Sequence, residues 1–185
     1  MRRTVGEAAA AMGGELVTGD SDLGWTRATL DSRQVAGGEL FFALAGAHTD
    51  GHQFVGAALD RGAAAAVIER PVPLPSAGAA APASGAATGA TPAMPTGALI
   101  RVPRVYDGLH ALTRAVRREV PEHLVGITGS SGTTTTKELL ALCLERKYRV
   151  AKSEGNLNNL LGFPLTLLAT PPGTEWLVAE MGMSL

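Results

Sequence analysis

The chain has 185 residues, of which 45% are apolar, so it can form one ordinary domain or two small domains with a buried core. Its 16 Lys and Arg against 17 Asp and Glu give a net charge of −1, which excludes a broad electrostatic surface for nucleic acid. No stretch approaches the roughly 18 uninterrupted apolar residues that cross a bilayer, and the first residues carry no leader pattern, so we expect a cytoplasmic protein.

The first part of the chain predicts an α/β unit. Thr4 and Glu7 have the spacing of a capping box at the start of a short helix. Residues 39–44 (ELFFAL) form the strongest strand pattern. An amphipathic helix is predicted to follow over HQFVGAALDR and to end at Gly62, before a small apolar strand at residues 64–68.

A low-complexity segment covers residues 71–98, which contain neither a charged nor an aromatic residue, so we predict a surface loop or linker there. A short strand is expected at residues 99–102. We place a domain boundary after it, which makes residues 1–102 the first domain and residues 103–185 the second. The second domain should open with a helix near Asp107, whose apolar face consists of Leu109, Leu112 and Val116.

The most informative segment is GITGSSGTTTTKE, residues 126–138. It follows a short apolar strand at residues 123–128 and leads into a helix. Strand, glycine turn and helix are typical of a phosphate site, because backbone N–H groups and a helix N-terminus converge there without a Cβ in the way. We expect the helix to bury Leu139, Leu140, Cys143 and Leu144.

Two more strands are predicted in the second domain, YRVAKS and EWLVAEMG (residues 175–182), parallel to the first. Glu180 would then lie at the carboxyl end of its strand, where ligands bind in open α/β sheets. The fold class is therefore α/β, with a small N-terminal α/β domain followed by the first part of a P-loop domain built on a parallel sheet.

Three blocks of sequence resemble the Mur ligases of peptidoglycan synthesis, ATP-dependent enzymes that extend a UDP-N-acetylmuramoyl precursor. DSRQVAGGELFFALAGAHTDGHQFVGAALDRGAAAAVIE is similar to the family's UDP-binding domain, and GITGSSGTTTTKE to its ATP loop. GNLNNLLGFPLTLL and EMGMS are similar to the segments that follow. These later blocks are most similar to the member that adds D-alanyl-D-alanine to UDP-N-acetylmuramoyl-tripeptide.

The resemblance implies that ATP phosphorylates the substrate carboxylate and that the dipeptide amine attacks the acyl phosphate. It implies catalytic roles for Thr133, Thr134 and Glu180, with Thr134 and Glu180 as the Mg²⁺ ligands. The residues implied in nucleotide binding are Gly129, Ser130, Ser131, Gly132, Thr133, Thr134, Thr135, Asn158 and Asn159.

The resemblance also implies a UDP end, where an arginine fork and short polar groups suit a pyrophosphate and a uracil. Its residues are Ser32, Arg33, Asp50, Gly51 and His52. Taken alone, DSR is equally typical of a turn in which Asp31 bonds its own backbone, and Glu180 alone fits a surface acid.

The chain departs from the family pattern in two respects. Thr133 stands where the family's loop has a lysine, and Lys137 lies four residues further along a helix, where the family has a lysine as well. The chain also ends directly after the third strand of the second domain, so we expect an amide-forming site to be incomplete.

Three other interpretations stay open at this point. The chain could be a non-catalytic module that binds the UDP-muramoyl peptide, or it could belong to the ligase that adds a diamino acid. An unrelated P-loop NTPase would require the N-terminal block to be an accident.

Overall fold

The structure, a computed structural model, describes residues 3–46, 49–73, 97–155 and 159–182. It divides into two compact units, Arg2–Gly108 and Leu109–Leu185, and the division falls inside a helix. The domain boundary that we placed between residues 102 and 103 stays a prediction. Among the described residues, no helix combines the length and the apolar character that a membrane crossing requires.

The first unit is built on a mixed sheet. Its strands are β1 (Glu15–Thr18), β2 (Ala28–Thr29), β3 (Leu40–Phe42), β4 (Ala65–Ile68) and β5 (Ala98–Arg101), and its helices are α1 (Val5–Met12) and α2 (Val55–Asp60). A third helix, α3 (Val105–Arg117), begins in this unit. The sheet order is β1-β5-β4-β3-β2, parallel except for β1 against β5. The predicted α/β fold is therefore confirmed.

The centre of this sheet is apolar on both faces. Leu40, Phe41 and Phe42 of β3 have no exposed surface, and all of β4 is buried. Continuous apolar strands of this kind are typical of parallel sheets covered on both sides. The predicted strand at ELFFAL is confirmed, although only three of its six residues have strand geometry.

The capping pattern of the first helix is also confirmed. The Thr4 side chain accepts a hydrogen bond from the Glu7 N–H, and α1 ends at Gly13 in a left-handed conformation (φ 63°). The second predicted helix starts differently, because residues Gly51–Phe54 form a 3₁₀ turn that precedes α2. Of the low-complexity segment predicted over residues 71–98, residues 74–96 lie outside the described residues.

The second unit contains a small parallel sheet. Its strands are β6 (His123–Ile127), β7 (Val150–Lys152) and β8 (Trp176–Glu180), and its further helices are α4 (Thr133–Leu144) and α5 (Gly162–Ala169). The order β6-β8-β7 places β8 between the other two strands. The predicted parallel arrangement is confirmed, and the order adds that the strand ending in Glu180 is the central one.

The buried face of α4 differs from the prediction. Leu139 is 58% exposed and Cys143 is exposed, so the expectation that both face inward is wrong. The residues that are buried are Lys137 and Ala141, one helical turn apart. The sequence misleads here because its first helical turn is TTTT, which offers no apolar residue to set the phase of the buried face.

A buried carboxylate organises the segment between β2 and β3. Glu39 accepts hydrogen bonds from the N–H groups of Ala36 (3.1 Å) and Gly37 (2.8 Å), and from the Arg27 guanidinium (3.2 Å). Burial alone would raise the pKa of Glu39, but these hydrogen bonds together outweigh it and hold the pKa below its usual range. The charged form of Glu39 therefore stabilises this segment.

Glycine is required at position 51 by a close backbone approach. A Cβ there would lie 2.8 Å from both the N and the O of Leu44 and 2.9 Å from the carbonyl carbon of Ala43. The Gly51 N–H donates to the Leu44 carbonyl at 2.8 Å, which holds the two segments together.

We expect Gly51→Ala to lower the free energy of unfolding by about 1–3 kcal/mol, the usual cost of overpacking. Urea denaturation of the wild type and the variant measures this difference. Gly24→Ala is the control, because the nearest atom to its added Cβ would be the Arg3 carbonyl at 3.9 Å. Equal denaturation midpoints for the two variants would contradict the assignment.

We expect Glu39→Gln to lower the free energy of unfolding by about 1.5–3 kcal/mol at pH 7, because hydrogen bonds to a charged group are lost. A carboxyl with a lowered folded pKa stabilises above its unfolded pKa, 4.5 for glutamate, and loses this effect as the pH falls through the folded pKa. The difference between wild type and variant should therefore shrink in urea denaturation below pH 4.5.

Glu15→Gln provides the comparison for this experiment. The Glu15 side chain is 66% exposed and pairs with Arg101 at the surface, so its replacement should change the free energy of unfolding little at either pH. A difference for Glu39→Gln that is the same at pH 7 and pH 3 would show that packing, not charge, holds the segment.

Candidate functional site

The turn between β6 and α4 presents an open set of backbone donors. Gly132 is the N-cap residue, in the left-handed conformation (φ 76°), and the helix has no side-chain capping hydrogen bond. Within the described part of the chain, the backbone N–H groups from Gly129 to Thr135 donate to no other residue. Unpaired N–H groups at the N-terminus of a twelve-residue helix form a favourable site for an anion.

Glu180 lies directly beside this turn. It is the last residue of β8 and pairs in register with Ile127 at the end of β6. The Thr133 hydroxyl donates to Oε1 of Glu180 at 3.0 Å, and the Thr134 hydroxyl donates to Oε2 at 3.0 Å. The structure thus brings together Thr133, Thr134 and Glu180, for which the family resemblance implies catalytic roles.

The Lys137 ammonium is bonded to a residue outside the turn. It is 2% exposed, and its ammonium donates to the backbone carbonyl of Ser153 at 2.8 Å. It also lies 3.6 Å from Oε1 of Glu138, whose pKa is lowered by the neighbouring Lys152. Lys137 therefore does not take the place of the lysine that the family's loop has at the position of Thr133.

The oxygen atoms of Thr134 and Glu180 suit Mg²⁺, which prefers hard oxygen ligands and completes its shell with phosphate and water. Among the described residues, no group of three or more His, Cys, Asp or Glu side chains could hold a metal ion by itself. A metal at this place would therefore need phosphate oxygens in addition to the protein's own groups.

The asparagine turn contributes one described residue. Asn159 uses its side-chain oxygen for the first amides of α5, accepting from Leu161 (3.1 Å) and Gly162 (2.7 Å). Its carboxamide nitrogen is the group that it can offer to a ligand. Asn158, predicted as a nucleotide-binding residue, lies outside the described residues.

At the predicted UDP end, Asp31 orders the residues that follow it. Its carboxylate accepts from the Arg33 N–H at 3.0 Å and pairs with the Arg33 guanidinium through Nε (2.9 Å) and Nη2 (2.8 Å). The side-chain hydrogen bond from Arg33 lowers the pKa of Asp31. Ser32 is buried, whereas the Arg33 side chain is 84% exposed, with its Nη1 outside this pair.

The second predicted UDP segment is occupied by internal contacts. The His52 ring is buried, with Nδ1 2.8 Å from Oδ1 of Asp50 and Nε2 3.2 Å from the Glu69 N–H. These partners require the neutral ring with its proton on Nδ1, and burial lowers the pKa of His52 in the same direction. The ring has no nitrogen left for a ligand. Asp50 also pairs with Arg70.

The two UDP segments are not connected directly. No hydrogen bond or ion pair among the described residues joins the Ser32–Arg33 turn to Asp50, Gly51 or His52. Their common role in binding a UDP ligand stays a prediction.

Ser153 was missed by the sequence analysis. It follows β7, is 2% exposed, and its hydroxyl accepts from the Glu180 N–H at 2.9 Å. The available signal was its position, since it is a polar residue at the carboxyl end of a strand parallel to the one that carries Glu180.

Comparison with known proteins agrees with this arrangement. The family model described as "Mur ligase family, catalytic domain" matches residues 26–119, and the one described as "Mur ligase middle domain" matches residues 127–185. The UDP-N-acetylmuramoyl-tripeptide–D-alanyl-D-alanine ligase of Bacillus subtilis (strain 168) is 38% identical over 154 residues, which are 83% of this chain and 30% of that protein.

Two solved structures show the same fold. A crystal structure of MurF from Acinetobacter baumannii superposes with a TM-score of 0.74 at 29% identity, over 97% of this chain and 36% of that one. The MurF ligase of Thermotoga maritima in complex with ADP superposes with a TM-score of 0.62 at 34% identity, over 86% of this chain and 32% of that one.

The chain spans about a third of the length of the relatives that it matches. The two family models match in consecutive order, and they cover four of the five strands of the N-terminal sheet and the turn before α4 together with Glu180. The chain belongs to the Mur ligase family.

Proposed function

We propose that this chain is the UDP- and ATP-binding portion of the Mur ligase that adds D-alanyl-D-alanine to UDP-N-acetylmuramoyl-tripeptide in the cytoplasm. The observation that carries the proposal is the contact of Glu180 with Thr133 and Thr134 beside an open phosphate turn. The Bacillus subtilis and Escherichia coli relatives are both named as tripeptide–D-alanyl-D-alanine ligases, which supports this choice of substrates over those of the diamino-acid-adding ligase.

In this proposal, the backbone N–H groups of Gly129 to Thr135 hold the nucleotide phosphates. ATP, when bound, supplies the phosphoryl group that activates the substrate carboxylate. Thr134 and Glu180 present oxygen atoms to Mg²⁺, and Asn159 offers its carboxamide nitrogen at the adjacent turn. The peptide carboxylate must approach the same edge of the sheet, where parallel strands β6, β7 and β8 end.

Thr133 limits the chemistry more than the binding. Its hydroxyl is uncharged and already donates to Glu180, and the Lys137 ammonium is bonded to Ser153. A charge-assisted bond to phosphate contributes about 1.5–3 kcal/mol to binding, whereas a donor placed at developing charge contributes roughly 10²–10³ in rate. We therefore propose that nucleotide affinity is retained in part and that phosphoryl transfer is strongly reduced.

A second candidate is a non-catalytic module that binds the UDP-muramoyl peptide. Thr133 favours this second candidate, because position 133 then carries no positive charge to act on the phosphoryl group during its transfer. The two candidates differ in one measurable property, which is whether the phosphate turn binds ATP at all.

We expect Thr133→Lys to tighten Mg-ATP binding about 10- to 100-fold in calorimetric titration, because the lysine adds a charge-assisted bond to phosphate. Thr133→Val is the matched control: it removes the hydrogen bond to Glu180 without adding a charge, and it should not tighten binding. Equal affinities of the wild type and the lysine variant would contradict the role assigned to this position.

We expect the wild-type chain to bind UDP-N-acetylmuramoyl-tripeptide and Arg33→Gln to bind it about tenfold more weakly, since Arg33 presents an exposed guanidinium held in place by Asp31. The same titration with Arg104→Gln provides the control, because the Arg104 side chain forms an exposed pair with Asp107 and is bonded to no other residue in the described part of the chain. Binding of the UDP ligand without binding of Mg-ATP would favour the module; unchanged affinity in Arg33→Gln would remove Arg33 from the site.

A further inference from the structure

The end of β8 departs from a regular parallel ladder at the residue that matters most for the site. The Ser153 N–H donates to the Val178 carbonyl at 3.0 Å. In a regular parallel pair, the next bond would run from the Glu180 N–H to the Ser153 carbonyl. Instead, the Glu180 N–H donates to the Ser153 hydroxyl at 2.9 Å.

The Ser153 carbonyl is thereby available to a different partner. It accepts a hydrogen bond from the buried ammonium of Lys137 at 2.8 Å. Lys137 belongs to α4, the same helix whose first turn carries Thr133 and Thr134. The serine thus connects the helix on one side with the backbone of Glu180 on the other.

Burial makes both contacts specific. Ser153 and Lys137 are each 2% exposed, so water does not compete for these groups. A buried ammonium is unfavourable unless it is paired. The Lys137 ammonium therefore depends on its hydrogen bond to the Ser153 carbonyl. The Glu180 carboxylate itself accepts from the hydroxyls of Thr133 and Thr134, each at 3.0 Å.

We propose that Ser153 and Lys137 are positioning residues for the metal-binding carboxylate of Glu180. The Ser153 hydroxyl accepts from the Glu180 N–H and so holds the Glu180 backbone. The Lys137 ammonium bonds the Ser153 carbonyl, which therefore does not accept from the Glu180 N–H as it would in a regular parallel ladder. This inference rests on the proposed function, in which Glu180 binds Mg²⁺ together with a nucleotide. Neither residue touches the nucleotide or the metal in this assignment.

The test separates positioning from general stabilisation by the effect of Mg²⁺ on ADP affinity. Calorimetric titration with ADP is carried out with Mg²⁺ and with a chelator, and the ratio of the two affinities is the readout. Ser153→Ala should lower this ratio about tenfold, the lower end of the effect of removing an outer-sphere partner. The affinity for ADP without metal should stay within about twofold of the wild type.

Two further variants complete the series. Ser153→Thr keeps a hydroxyl and should restore the Mg²⁺ effect. Thr170→Val is the control, because it removes a buried hydroxyl of the same unit that donates to the Thr166 carbonyl at 3.0 Å. It should leave the ratio unchanged even where it lowers the melting temperature. Parallel loss of affinity with and without Mg²⁺ in Ser153→Ala would overturn the proposal.

Hydrogen exchange of the Glu180 amide, followed by NMR, keeps the inference testable without a ligand. Ser153→Ala and Lys137→Met should each accelerate this exchange about tenfold or more, and Thr170→Val should not. An unchanged rate in both variants would overturn the positioning role. If the exchange rates change as expected but the wild type binds neither ADP nor Mg-ADP, the proposed function fails and the metal-directed part of this inference fails with it.

Discussion

The candidate site of the second unit depends on the carboxylate of Glu180. It joins the end of the central strand β8 to the first turn of α4 through two hydroxyls, each at 3.0 Å. A negative charge in this place would repel phosphate, while the exposed N–H groups beside it attract phosphate. In the proposed function a divalent cation would offset this repulsion, and Thr134 and Glu180 carry the oxygen atoms that would hold it.

The replacement of lysine by Thr133 shifts this balance of charge. The turn keeps its backbone donors, because they depend on Gly132 and on the start of α4 and not on the side chain at position 133. It loses the cation that would act directly on the phosphates, and Lys137 is bonded elsewhere. In the proposed function, nucleotide binding would then rest on the helix dipole, the backbone amides and the metal ion, without a lysine at position 133.

Sequence reasoning identified the elements whose signals are local. Glycines between an apolar strand and a helix marked the turn before α4, and the run EWLVAEMG placed Glu180 at the carboxyl end of a strand. Contacts between elements distant in sequence were out of reach: Ser153 contacts Glu180 across 27 residues, and Lys137 is buried although lysine is usually exposed. The same limit explains the error at Leu139 and Cys143, whose exposure depends on which face of α4 the sheet covers.

The segment Asp50-Gly51-His52 (DGH) shows that residues typical of the family can be required by the fold and not by a ligand. Gly51 is required by the backbone of Leu44, 2.8 Å from its missing Cβ, and both ring nitrogens of His52 have partners inside the protein. Both residues would be needed even if no ligand bound near them. Arg33 is different, because its side chain is 84% exposed and paired with Asp31, so packing against the described residues does not explain it. In the first unit, the physical case for ligand contact is therefore stronger for the DSR turn than for the DGH segment.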